Sequence, residues 1–162
     1  MYPRINVDLE KIRKNVKTIK NICKDNNLKM GVVTKVFCAD RTITNAVIEE
    51  DVDFLADSRI ENLESLKDYG IEKWLLRIPM KSEVKELVKY SNLSLNSELE
   101  TIKLIQEESK KQNRIHKIIL LYINSRFLLT YKGGQVRTES NKFLLLLFLM
   151  YALCIFLSTS FI

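Results

Sequence analysis

The chain has 162 residues, a formal net charge of +6, 46% hydrophobic and 28% charged residues, and only four glycines and two prolines. This composition excludes a disordered or low-complexity chain. It leaves room for one ordinary domain, well short of the roughly 250 residues of a complete (β/α)8 barrel. Lys and Arg are interleaved with Asp and Glu at helical spacing, the pattern of solvated helix faces, so no nucleic-acid partner is expected. Cys23, Cys38 and Cys154 are odd in number and share no metal-ligand spacing. Reduced thiols, no metal and a cytoplasmic location are expected, the more so because the opening MYPRINVDLEKIRKN has no apolar core of a secretory signal.

In chain order, Ile5–Val7 is a short strand candidate. A helix follows with Leu9, Ile12, Val16, Ile19 and Cys23 at spacings of three and four, and Asp8 is placed to cap it. Lys29–Phe37 reads as a strand and Thr42–Glu50 as a helix. Asp53–Ala56 is the next strand, and Ile60–Tyr69 the next helix, closed by Gly70 as a C-cap. Lys73–Ile78 is a strand ended by Pro79, and Ser82–Tyr90 a helix capped by Ser82. Asn92–Leu95, a helix over Ser97–Gln112, and a strand at Lys117–Leu121 complete the pattern. Short apolar strands alternating with amphipathic helices every 20–25 residues or so predict βα units around a parallel sheet. The continuous apolar runs suit strands buried on both faces. No glycine-rich turn follows the first strand, which favours a barrel wall over an open nucleotide-binding sheet. The fold class predicted is therefore α/β, a partial (β/α)8 TIM-type barrel of about five to six units.

The pattern stops at Tyr122. Residues 124–141 carry a Gly-Gly turn and no clear periodicity. Phe143–Ile162 is almost wholly apolar, and its 20 residues match the length that crosses a hydrocarbon core. With Lys132, Arg137 and Lys142 upstream, it reads as an apolar C-terminal helix, either a membrane anchor or the product of a frame disruption. The division expected is 1–121 for the barrel segment, 122–142 for a linker and 143–162 for the tail.

Lys35 is the residue that stands out. It lies within the apolar run Gly31–Phe37, where an ammonium is expensive to bury, and near the C-terminal end of a strand, where barrels build chemistry. A partly desolvated lysine there can serve as a nucleophilic amine that forms a Schiff base. The bland alternative is a side chain that snorkels from a strand end into water. His116 opens a strand at the opposite, stability-side end. Asp40, Glu49 and Glu50 read as solvated loop and helix residues.

The stretches YPRINVDLEKIRKN, GVVTKVFCAD, LADSRIENL, WLLRIPMKSEV and SLNSELETI resemble the N-terminal domain of the alanine racemase family, nearest to its ornithine racemase type. The resemblance runs collinearly from Tyr2 to about Leu121. It implies that Lys35 holds pyridoxal 5′-phosphate as a Schiff base and acts as acid/base on one face of an amino-acid substrate. It also implies a homodimer, and a further β domain supplying the opposing base. Asp57, Arg59, Asn62, Arg77, Asn96 and Ser97 lie at or just beyond later strand ends and are candidates to line the barrel mouth. Asn62, Arg77, Asn96 and Ser97 are the candidate cofactor contacts. Arg77 could equally form a strand-end salt bridge, Glu61 and Asn62 could serve a helix N-terminus, and Asn96–Ser97 could cap the following helix. The later strands, the phosphate loop and the β domain have no counterpart in Tyr122–Ile162, so an incomplete, inactive piece is expected. Two alternatives stand beside the racemase: a barrel that binds the cofactor without racemising, and a membrane-tethered non-catalytic fragment.

Overall fold

The computed structural model describes residues 6–121 together with the backbone of residues 129–132 and 135–138. Five helices alternate with five strands: α1 (Leu9–Asp25), β1 (Gly31–Val33), α2 (Arg41–Ile48), β2 (Phe54–Asp57), α3 (Ile60–Ser65), β3 (Glu72–Leu75), α4 (Val84–Tyr90), β4 (Leu93–Asn96), α5 (Leu99–Lys111) and β5 (Lys117–Leu120). Strands β1 to β5 are parallel and lie side by side in chain order. A hairpin of β6 (Leu129–Lys132) and β7 (Gln135–Thr138) then adds antiparallel to β5. Lys132 pairs with Gln135 at the end of the ladder. These two strands fall within the stretch 122–142 expected as a linker, and β6 pairs along the edge of β5.

The alternation of side chains along each strand sorts the core into two layers. Val32 and Leu55 pack with Val16, Cys23, Met30 and Val47 under α1 and α2. Leu75 and Ile118 pack with Leu63, Val84, Leu87 and Ile105 under α3, α4 and α5. The other face of the sheet gathers Val33, Phe54, Ala56, Trp74, Leu93, Leu95 and Ile119 into a separate apolar layer. Helices on one face and strands in sequential order exclude the doubly wound sheet, whose strand order reverses and whose helices cover both faces.

Several boundaries differ from expectation. Asn6–Asp8 carry no regular structure, so the described part of Ile5–Val7 is not a strand; Asp8 caps α1 by accepting from the Lys11 N–H at 3.1 Å. The strand expected over Lys29–Phe37 ends at Val33 and becomes a 3-10 turn at Lys35–Phe37. Helix α3 stops at Ser65, short of Gly70. Leu66 is fully buried in the core, and Leu66, Lys67 and Tyr69 make tighter turn bonds to residues three back. Ser82 does not cap α4; it sits inside a 3-10 turn, and Glu83 instead reaches back to the Met80 N–H at 2.9 Å.

Polar residues fix the lower ends of the strands. Asp53 accepts from the Met30 N–H at 2.6 Å and from Lys20 Nζ at 2.8 Å, tying α1 and the start of β1 to β2. Asn92 accepts from the Lys73 N–H at 2.9 Å through Oδ1 and from the Lys117 N–H at 2.8 Å through its carbonyl, joining β3, β4 and β5. No helix among the described residues is long and apolar enough to cross a membrane, and the apolar helix expected at 143–162 lies outside them.

Gly31 shows how tightly the inner layer is packed. The Phe54 ring fills the space that a Cβ at Gly31 would take and stacks on Trp74, with centroids 3.6 Å apart and planes at 11°. A methyl at Gly31 would overlap that ring, which Trp74 holds in place. Gly31→Ala should therefore lower unfolding stability by about 1–3 kcal/mol, measured by urea denaturation.

Candidate active site at the strand ends

Lys35, Asp57, Arg77, Asn96 and Ser97 all fall at the C-terminal ends of the parallel strands or in the turns that follow. The chain leaves the sheet at Thr34, which takes helical dihedrals of −87° and −11°. Lys35 opens the 3-10 turn and is exposed. It is thus not embedded in a strand, as the apolar run suggested; it projects from a turn at the strand tip. That turn closes through two consecutive left-handed residues, Cys38 at φ 50° and Ala39 at φ 55°. Each costs about 1–2 kcal/mol for a residue bearing a Cβ. Ala39 offsets part of this by burying its methyl beneath α1 and α2.

What holds the turn is a network that sequence reasoning saw only in part. Thr34 is fully buried and donates its hydroxyl to Asp57 Oδ2 at 2.6 Å, while its N–H bonds the Ala56 carbonyl at 2.8 Å. Asp57 is equally buried. Its Oδ2 also accepts from Asn62 Nδ2 at 3.0 Å, and its Oδ1 from the Arg59 N–H at 2.8 Å. Asn62 is therefore bound to the end of β2. Arg59 contributes its backbone, at the N-cap of α3, while its side chain stays exposed. Thr34 was not singled out from sequence. The available signal was a polar residue between a strand and the lysine, with an aspartate closing the next strand.

Arg77 forms the strand-end salt bridge. Its guanidinium meets Glu83 in a bidentate pair at 2.7 and 2.6 Å, and its Nε donates to the Ser58 carbonyl at 2.7 Å. Hydrogen bonds from Arg77 hold the Glu83 carboxyl below its ordinary range. The pair clamps the β3–α4 turn against the end of β2. Asn96 is fully buried and shares the helix-facing side with Ser94 and Ile118, which removes it from the mouth. Its Nδ2 donates to Ser94 Oγ at 2.8 Å. Ser97 is exposed at the rim, but the cap position of α5 belongs to Glu98, so neither Asn96 nor Ser97 caps it. Asp40 caps α2, accepting from the Thr42 and Ile43 N–H groups at 2.9 and 3.0 Å, and Glu49 pairs with Arg13.

The sequence of this segment matches one family. The chain belongs to the family defined by the alanine racemase N-terminal domain, whose sequence model matches residues 7–127. It is 44% identical over 121 residues to the ornithine racemase of Acetoanaerobium sticklandii, covering 75% of this chain and 34% of that protein. It is 31% identical over 123 residues to the lysine racemase of Thermotoga maritima, covering 75% and 35%. The chain thus spans about a third of the length of the curated relatives it matches. Among solved structures, the D-threonine aldolase of Filomicrobium marinum shares the fold, with a TM-score of 0.63 at 12% identity, over 78% of this chain and 36% of that one.

His116 sits at the far end of the sheet, its Nε2 2.9 Å from Ser94 Oγ, and burial pushes its pKa down to about 4 from the ordinary 6.5. The unfolded chain therefore binds more protons than the folded one between these values, and stability falls as the pH drops from 6.5 to 4. His116 is the sole histidine in the sequence, so the slope above pH 5 or so belongs mainly to it, up to about 1.4 kcal/mol per pH unit. Denaturation across pH 5–7 or so should show this slope, and His116→Gln should flatten it.

Proposed function

We propose that this chain provides the lysine-bearing wall of a pyridoxal-phosphate amino-acid racemase, with Lys35 as the covalent attachment point and one-face proton carrier. The observation that carries the reading is the exposed Lys35 amine on a strained turn, anchored by the buried Thr34–Asp57 hydrogen bond at the tips of parallel strands. On this reading the five parallel strands are the first five of a (β/α)8 barrel, and the rim formed by their ends is part of its mouth.

The amine suits an aldehyde cofactor: it is exposed and lies on a backbone held from below. Of the other candidates, Asn62, Arg77 and Asn96 are engaged within the protein, so Lys35 and Ser97, with the exposed Arg59, are left at the rim to meet the cofactor. When bound, pyridoxal phosphate supplies an electron sink that eases removal of the α-hydrogen of an amino acid. The chain's own part would be to hold Lys35 Nζ at one face of the substrate, where it takes the α-proton from one enantiomer and delivers a proton when the reaction runs the other way, the opposing base serving the other face. Thr34 and Asp57 fix the direction from which Nζ approaches. The racemase names of both relatives support an amino-acid substrate, and the greater identity to the ornithine enzyme favours ornithine. The family resemblance makes a homodimer the expected working form, with the base on the opposite face supplied from outside the described residues.

The test is covalent trapping. The full chain, incubated with pyridoxal phosphate and reduced with borohydride, should yield a peptide modified at Lys35 well above the other exposed lysines, and Lys35→Ala should abolish it. Labelling spread evenly over surface lysines contradicts the reading. If Lys35 is trapped, exchange of the α-hydrogen of ornithine in deuterated water separates a racemase from a barrel that only binds the cofactor.

A further inference from the structure

At the end of the sheet opposite Lys35, a cavity of about 270 Å³ opens among the loops that lead into β3, β4 and β5. Four cations line it: Lys67, Lys73, Lys89 and Arg114. Lys73 is 6% exposed, and its ammonium donates to the carbonyls of Tyr69 at 2.7 Å and Ile71 at 3.0 Å. An ammonium carries three N–H donors, and these carbonyls take two of them. Lys89 lies over the Tyr90 ring, 4.9 Å from its centroid, and its carbonyl accepts from Arg114.

The four cations converge on one concave surface, which sets them apart from the other cations without an ion pair. Nine ion pairs occur among the described residues, and none of them involves these four cations. Asp68, the carboxylate whose charge reaches Lys73, is paired with Arg41 at 3.5 Å, and Glu72 is paired with Lys117. Glu64 and Glu86 act on Lys89 only at longer range. Burial, and then the charge of Arg114, both disfavour the protonated form of Lys73. Like charges converging on a concave surface raise the local concentration of counter-ions and so favour an anion there.

We propose that this cavity is an anion site for a compact, multiply charged phosphate such as pyrophosphate. The volume lies below the range of pockets that hold drug-sized ligands, which excludes a dinucleotide. The buried Lys73 supplies a fixed point charge, Lys89 and Arg114 close over the anion, and Arg114 offers the planar donor fork that suits phosphate oxygens. The site is separate from the Lys35 rim and does not depend on the racemase reading.

Calorimetric titration of the full chain with inorganic pyrophosphate tests it. The expected result is one site with a Kd below about 1 mM, a range set by a few charge-assisted bonds. Lys89→Gln with Arg114→Gln, both exposed and therefore compatible with folding, should weaken it about tenfold or more. Lys14→Gln with Lys17→Gln on α1 makes the same change in net charge and should leave binding intact. No heat of binding in the parent chain, or equal loss in both double variants, overturns the proposal, the latter by showing non-specific attraction to a basic protein.

Discussion

The hydrogen bond from the Thr34 hydroxyl to the Asp57 carboxylate, 2.6 Å long and shut away from solvent, decides where the first strand ends. A buried carboxylate must have its oxygens satisfied. Here Thr34, the Arg59 N–H and Asn62 converge on it from three directions. To reach Asp57, Thr34 leaves the extended conformation, and the chain turns out of the sheet at that residue. Lys35 is carried onto the rim, and the return path to α2 runs through the left-handed Cys38 and Ala39. Strain of this kind persists only where neighbouring structure over-determines it. The covered methyl of Ala39 and the two backbone bonds to the Asp40 cap supply that restraint.

The two ends of the sheet are built differently. At the C-terminal rim most polar side chains are consumed in bracing one turn against the next: Asn62 on Asp57, Arg77 on Glu83 and Ser58. That bracing leaves few exposed groups, and Lys35 is one of them. Rigid support around a sparse set of functional side chains is what positional chemistry requires. At the other end Asn92 and Asp53 fix the strand starts, yet Lys67, Lys73, Lys89 and Arg114 face a cavity with no acid paired to them. One end is satisfied from within; the other calls for a partner from outside.

Much of this was legible in the sequence because it depends on local pattern. The apolar runs at Gly31–Val33, Phe54–Ala56 and Lys117–Leu120 mark buried parallel strands, and the 12, 16, 19, 23 spacing marks the inner face of α1. Lys35 is conspicuous because it breaks an apolar run. What could not be read is non-local. Nothing within VVTKVF says that the strand stops before its lysine, since the residue that ends it lies on β2. Polar residues near strand ends are visible, but which face they take depends on pairing register. Asn96 pairs across to Leu120 and turns toward the helices with Ser94, and so leaves the mouth it was expected to line. Arg77 finds Glu83 six residues on, within a 3-10 turn that helical periodicity treats as the first turn of α4.

On the proposed reading, a buried contact one residue away aims the Lys35 amine. It is tested most directly by comparing the rate at which pyridoxal phosphate is captured at Lys35 in the parent chain and in Thr34→Val. The exposed Lys17 on α1, in the same molecule, serves as an internal reference, and circular dichroism confirms that the variant is folded. The Lys35-to-Lys17 capture ratio is expected to fall about tenfold, the scale of a lost orienting contact. An unchanged ratio in a folded variant would contradict it.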